Sequence, residues 1–71
     1  MRELEIESES ITLAQLLKLA NLVGSGGEAR QFLAETVVRV NGEPDARRGR
    51  KLRPGDVVEA AGESIRVTAA G

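Results

Sequence analysis

Residues 40–56 read V-N-G-E-P-D-A-R-R-G-R-K-L-R-P-G-D, and the two ends of this stretch are both turns. Asn41 and Gly42 are the signature of a type I′ hairpin turn, which needs positive φ at both of its central positions. Arg53, Pro54, Gly55 and Asp56 read as a type II turn, with proline at its second place and glycine at its third. Strands are therefore expected on either side, at residues 37–40 and 57–60. Pro44 has no N–H to offer a neighbouring strand, so the return of the hairpin, residues 43–46, belongs at a sheet edge. Between the turns, five cations (Arg47, Arg48, Arg50, Lys51 and Arg53) occupy seven positions.

Outward from this stretch the chain divides into short elements. Leu4 and Ile6 alternate with Glu3, Glu5 and Glu7, the period of a half-buried edge strand with an acidic outer face. Those glutamates also discourage edge-to-edge pairing. Thr12 and Gln15 have the spacing of a capping box, Ile11 can staple onto Leu16, and Leu13, Leu16, Leu17 and Ala20 share one helical face. Gly24 is the expected stop of that helix. Ser25 and Glu28 repeat the capping spacing and open a second helix, with Ala29, Phe32 and Leu33 inward and Arg30 and Gln31 elsewhere. After residues 57–60, Gly62 and Glu63 turn the chain into a last strand, where Ile65 and Val67 alternate with Arg66 and Thr68. The expected class is α+β: two N-terminal helices in a tight corner, packed on a small, mostly antiparallel twisted sheet. No repeat, linker or low-complexity tract interrupts it.

Composition narrows the chemistry. A chain of 71 residues makes one domain at most, and one this short buries only about 60% of its unfolded surface. Its core draws on eight Leu, seven Val, three Ile and one Phe, with no Trp or Tyr, so stacking on unpaired bases could rest on Phe32 alone. The absence of Cys and His removes disulfides, thiolate or imidazole metal sites and nucleophilic triads. No cofactor or metal is expected. Residues 1–10 have no apolar core of a signal peptide and no apolar run approaches membrane-spanning length, so a cytoplasmic protein without a membrane partner is expected.

Charge is unevenly distributed. Residues 1–10 carry Glu3, Glu5, Glu7 and Glu9 against Arg2, while residues 11–71 carry nine basic and seven acidic side chains. A chain of net charge −1 has no electrostatic reason to crowd five cations into one loop unless a polyanion or a compensating acidic surface meets them. Nucleic acid is the first candidate. The acidic first strand is the alternative, although surface pairs of that kind are worth only about 0–1 kcal/mol each. Gly26 and Gly27, in the first turn of the second helix, cost roughly 1 kcal/mol each in helix propensity. Bare amides at a helix N-terminus can hold a phosphate, with Arg30 close by; otherwise the glycines serve a close approach of the two helices.

Together, the two-helix corner, V-V-R-V-N-G at 37–42 and P-G-D-V-V at 54–58 resemble the S4 RNA-binding domain, over about residues 11–60. The segments I-T-L-A-Q-L-L-K at 11–18, L-V-G-S-G-G-E-A at 22–29 and R-R-G-R-K-L at 47–52 are similar to the small stand-alone bacterial proteins in which an S4 module is the whole chain. The resemblance implies the S4-like (αL) fold, a single domain spanning residues 1–71, and non-catalytic binding of structured ribosomal or transfer RNA, with association with the ribosome. It implies a binding face of Ser25, Gly26, Gly27, Arg30 and Gln31 from the second helix and Arg39 and Asn41 from the hairpin. Arg47, Arg48, Arg50, Lys51 and Arg53 flank that face, and Lys18 on the first helix is a further candidate. Asn41 and Asp56 also have plain roles as turn residues.

Two positions depart from the S4 pattern. Gly26 stands where a basic residue commonly follows the serine, which shifts that charge contact to Arg30. Thr36 stands where a glycine usually ends the helix, and a β-branched residue is penalised at positive φ.

Arginines beside a helix N-terminus position a phosphate backbone more than they read a sequence. Five neutralised phosphates give a slope of log K against log salt near about −4 on the duplex coefficient. Without aromatic platforms, recognition by shape and 2′-hydroxyl contacts is expected. A monomer is expected, since no long apolar stripe is left over once the core is filled. Rival readings are a protein-interaction module resembling the β-grasp sulphur carriers, which end in Gly-Gly where this chain ends Ala70-Gly71, and a ribosome-docking adaptor using the acidic strand. No catalytic residue pair is evident. Charge reversal at Arg47, Arg48 and Arg50 is expected to abolish RNA binding in a filter-binding assay while the domain stays folded.

Overall fold

Thr12 decides where the first helix begins. Its Oγ1 accepts the Gln15 N–H at 3.2 Å while Gln15 Oε1 accepts the Thr12 N–H at 2.9 Å, closing the reciprocal capping box. The computed structural model describes residues 1–70, and in it this helix, α1, runs Leu13–Leu19. Gly24 is the stop expected from the sequence, but Asn21 is the one the chain uses. Asn21 takes φ 64°, its N–H bonds the Lys18 carbonyl at 3.0 Å, and the Leu22 N–H bonds the Leu17 carbonyl at 3.0 Å. That pair of bonds is a Schellman closure, and asparagine tolerates the left-handed region it requires.

The second helix, α2, runs Gly26–Glu35 behind the N-cap Ser25, whose Oγ accepts the Glu28 N–H at 3.2 Å. The other half of the expected box is displaced by one residue: the Glu28 carboxylate accepts the Gly24 N–H at 2.7 Å instead of the Ser25 N–H. At the far end Thr36 is extended, φ −121° and ψ 135°, so the turn is reshaped and its β-branch meets no left-handed penalty. No helix among the described residues is long and apolar enough to cross a membrane.

Seven strands are described: β1 (Arg2–Ile6), β2 (Ile11–Thr12), β3 (Arg39–Val40), β4 (Glu43–Pro44), β5 (Lys51–Leu52), β6 (Val57–Ala60) and β7 (Glu63–Ala69). One sheet has the order β1-β7-β6-β3-β4, antiparallel except for the parallel pair β1 and β7; the other joins β2 to β5. The acidic strand β1 is an outer strand, and Arg2 ties it to α1 by donating Nη1 to the Ala20 carbonyl at 2.9 Å. Pro44 lies on the opposite edge. The expected strand at 37–40 shrinks to Arg39 and Val40, with Val37 67% exposed. The β2–β5 pair was not legible from two-residue strands. Gly71, on which the sulphur-carrier comparison turned, lies outside the described residues.

Turn chemistry sets the register. Asn41 and Gly42 take φ 52° and 85°, as a type I′ turn requires, and Asp56 N–H closes the Pro54–Gly55 turn on the Arg53 carbonyl at 2.9 Å. The last hairpin turns on Ala61 and Gly62, at φ 52° and 79°, one residue before the expected pair. Leu13, Leu16 and Leu17 from α1, Ala29 and Leu33 from α2, Leu52 from β5, and Val58, Ile65 and Val67 from the sheet belong to one buried cluster.

Ala61 stores strain, since an L-residue in the left-handed region costs about 1–2 kcal/mol. Ala61→Gly should therefore raise the unfolding free energy by about 0.5–1 kcal/mol, the remainder being offset by glycine's freedom in the unfolded chain. Urea unfolding of the two proteins measures the difference.

Candidate nucleic-acid interface

The first turn of any helix leaves N–H groups without intrahelical acceptors, and in α1 the basic loop supplies the missing ones. The Leu13 N–H donates to the Arg50 carbonyl at 2.8 Å and the Ala14 N–H to the Arg48 carbonyl at 3.1 Å, while Thr12 caps Gln15. Immediately afterwards Lys51 and Leu52 pair with Thr12 and Ile11, and Leu52 is wholly buried. A loop that reads as a solvated arginine run is thus fastened at its backbone to a helix and at its end to the core. Its side chains remain outside: Arg47, Arg48, Lys51 and Arg53 are exposed and Arg50 is half-buried.

Asp45 divides those side chains into two groups. Its carboxylate accepts the Arg47 N–H (2.9 Å), Arg47 Nε (3.1 Å) and Nη2 (2.9 Å), and Arg50 Nη1 (2.8 Å). Its own N–H bonds the Val38 carbonyl at 2.9 Å, and its side chain is only 8% exposed. Arg48, Lys51 and Arg53 make no ion pair among the described residues. The glutamates of β1 likewise make none with the loop; the third pair is Arg2 with Glu63. Contact ion pairs with the acidic strand therefore do not hold the loop.

The two turns that frame the stretch are clamped to each other. Asn41 Nδ2 donates to Asp56 Oδ1 at 3.1 Å, Asn41 Oδ1 accepts the Val57 N–H at 2.9 Å, and Asp56 Oδ2 accepts the Arg53 N–H at 2.9 Å. Asn41 thus spends both ends of its amide on the fold. Arg39 lies beside it on β3, exposed, with Nη1 at 3.5 Å from the Gly42 carbonyl.

The α2 residues form a separate exposed group, and no hydrogen bond among the described residues joins them to the loop. Ser25 and Glu28 serve the cap, and Gln31 Nε2 donates to Glu35 Oε1 at 3.2 Å. A Cβ on Gly26 would meet nothing within 4 Å, and one on Gly27 only Ser25 Oγ at 3.9 Å, so close helix contact does not explain these glycines. As the first two helical residues, they have N–H groups with no intrahelical acceptor. Arg30 is exposed one turn on. Lys18, in the last turn of α1, is exposed where a cation also complements the helix dipole. Phe32 is half-buried against the core, which leaves little of its ring for stacking.

A family described as the S4 domain matches residues 4–68. The chain belongs to the S4 domain family. It is 59% identical over 59 residues to the "Probable ribosome maturation protein RlbA" of Bacillus subtilis strain 168, covering 83% of each chain. It is 37% identical over 59 residues to the "Putative RNA-binding protein YbcJ" of Escherichia coli K12, covering 83% of this chain and 84% of that one. The S4 match reaches beyond residues 11–60 to include most of β1 and β7, the two strands that pair in parallel at one side of the sheet.

In this S4 domain the residue that sequence reasoning passed over is Asp45. A signal was present: aspartate two places before Arg47 is the spacing of an Asx turn, in which the side chain accepts the N–H two residues on. The hydrogen bonds from Arg47, first its side chain and then its N–H, and from Arg50 hold the Asp45 carboxyl well below the ordinary carboxylate range. A carboxyl lowered on folding contributes stability above its unfolded pKa, about 3.9, and loses it as pH falls from there toward the folded value. Asp45→Asn should therefore be destabilised relative to wild type at neutral pH, and the gap should close as pH falls from about 5 to about 2. Urea unfolding of both proteins across that range tests the sign.

Proposed function

We propose that this chain is a non-catalytic RNA-binding protein that grips the phosphates of structured RNA, ribosomal or transfer, through its helix corner and basic loop. One observation carries the reading: Arg48, Lys51 and Arg53 are exposed and without ion pairs among the described residues, on a stretch bonded to α1 and anchored by buried Leu52. Cations fixed to a rigid element lose less freedom on binding than cations on a loose tail. The names of the two relatives, one a ribosome maturation protein and one an RNA-binding protein, support the reading and favour a ribosomal setting.

Within this reading residues 1–71 act as a single S4 RNA-binding domain, a monomer working in the cytoplasm. Arg48, Lys51 and Arg53 supply most of the salt-sensitive attraction. Arg47 and Arg50 offer only the donors that Asp45 leaves over. The open Gly26 and Gly27 amides, Ser25, Arg30 and Gln31 take a second stretch of backbone, with Lys18 and Arg39 at the margins. Asn41 contributes by holding its turn. Contacts of this kind recognise the shape of a folded RNA and its 2′-hydroxyls more than its base sequence.

The pairing of Arg47 and Arg50 alters the expected salt dependence. The three uncommitted cations of the loop contribute about −2.7 to the slope of log K against log salt, or roughly fortyfold weaker binding between about 50 and about 200 mM. Reversing Arg48, Lys51 and Arg53 to glutamate leaves the Asp45 pairs and the backbone bonds to α1 in place. It is thus a cleaner test than reversing Arg47 and Arg50, which would set carboxylates against Asp45. Titration of bulk ribosomal RNA, transfer RNA and duplex DNA with both proteins should show RNA binding of at least that slope in wild type, and a weaker, flatter response in the folded triple variant. Equal affinity of the two proteins for RNA would remove the basic loop from the interface.

A further inference from the structure

We propose that Asp45 is a positioning residue for RNA, one that trades attraction to polyanions in general for preference toward folded RNA; the inference rests on the RNA-binding reading above. A carboxylate at the start of a phosphate-binding loop lowers its pull on any polyanion, here from five cations to a net of +4 over residues 45–53. Affinity alone therefore gives no reason for it.

The geometry gives one. Asp45 takes Nε and Nη2 of Arg47 in a two-pronged fork and Nη1 of Arg50 on the same carboxylate. Arg47 is nonetheless 73% exposed on its side chain, so its guanidinium is held in one orientation without being hidden. Its Nη1 makes no hydrogen bond to the protein among the described residues. The holder is itself held, because the Asp45 side chain is nearly buried and its N–H is bonded to the Val38 carbonyl. A fixed guanidinium can present its remaining donors at one position and angle, which suits phosphates whose spacing a folded RNA has already set. A flexible strand can wrap a mobile arginine equally well and gains nothing from the fixing.

The two consequences have opposite signs, and this separates positioning from mere stability. Dissociation constants for total ribosomal RNA and for single-stranded polyuridylate are measured across a salt series with wild type, Asp45→Asn and Arg47→Lys. Asp45→Asn should bind polyuridylate more tightly, with a salt slope steeper by about one as the carboxylate's charge is removed from beside Arg47 and Arg50. Its preference for ribosomal RNA over polyuridylate should fall by about tenfold. Arg47→Lys keeps the charge on a highly exposed side chain but cannot form the fork, so it guards against a folding defect in the first variant. Its slope should match wild type while its preference falls. A preference unchanged in both variants, or affinities for both RNAs shifted by the same factor, overturns the inference while leaving the RNA-binding reading standing. A wild-type protein that binds neither RNA overturns the reading and the inference with it.

Discussion

The unmet hydrogen bonds at the start of α1 are the constraint from which the rest of the arrangement follows. A capping box accounts for the Gln15 and Thr12 N–H groups, but those of Leu13 and Ala14 still need acceptors. The carbonyls of Arg50 and Arg48 supply them, and Leu52 completes the attachment by entering the core. Bringing Arg48 and Arg50 to the positive end of a helix dipole is unfavourable in itself. It is tolerated because the groups turned toward the helix are carbonyls, while the Arg48 side chain is left to solvent and the Arg50 guanidinium pairs with Asp45. A surface loop is thereby made part of the rigid fold.

Allocation of charge follows from this attachment. Arg47 and Arg50 are drawn onto Asp45, which a lone surface pair would scarcely justify energetically. Four donors on one nearly buried carboxylate are a different case, since the network fixes the loop and the carboxylate together. Arg48, Lys51 and Arg53 stay exposed and make no ion pair among the described residues. On the other side of Leu52, the clamp between Asn41 and Asp56 fixes the second turn relative to the first, so the whole stretch from 40 to 56 is tied at both ends.

Much of this was legible in the sequence because local chemistry decided it. The T-L-A-Q cap, the Asn41–Gly42 turn, the Pro54–Gly55 turn and strand β6 each depend on a few adjacent residues, and each is found where those residues place it. What was not legible depended on which backbone partners the folded chain supplies, near or far, rather than on residue type. Asn21 displaced Gly24 as the helix stop because the Leu22 N–H finds the Leu17 carbonyl. The β2–β5 pair joins residues some forty positions apart through two-residue strands, below any periodicity signal. Ala61 occupies a left-handed position that composition argues against, since the Ala60–Glu63 register imposes it. In the candidate interface the cluster itself was plain, while its division into anchoring and uncommitted arginines was not, because that depends on the burial of Asp45.

On the proposed reading, RNA meets the basic loop, the hairpin and the separate exposed start of α2. Amide chemical shifts of isotope-labelled protein, followed during titration with unfractionated transfer RNA at low salt, test this most directly. The account predicts perturbations concentrated at residues 25–31, 39–42 and 47–53, with strand β1 unaffected. Perturbations centred on the glutamates of β1, or a silent basic loop beside shifts elsewhere, would contradict it.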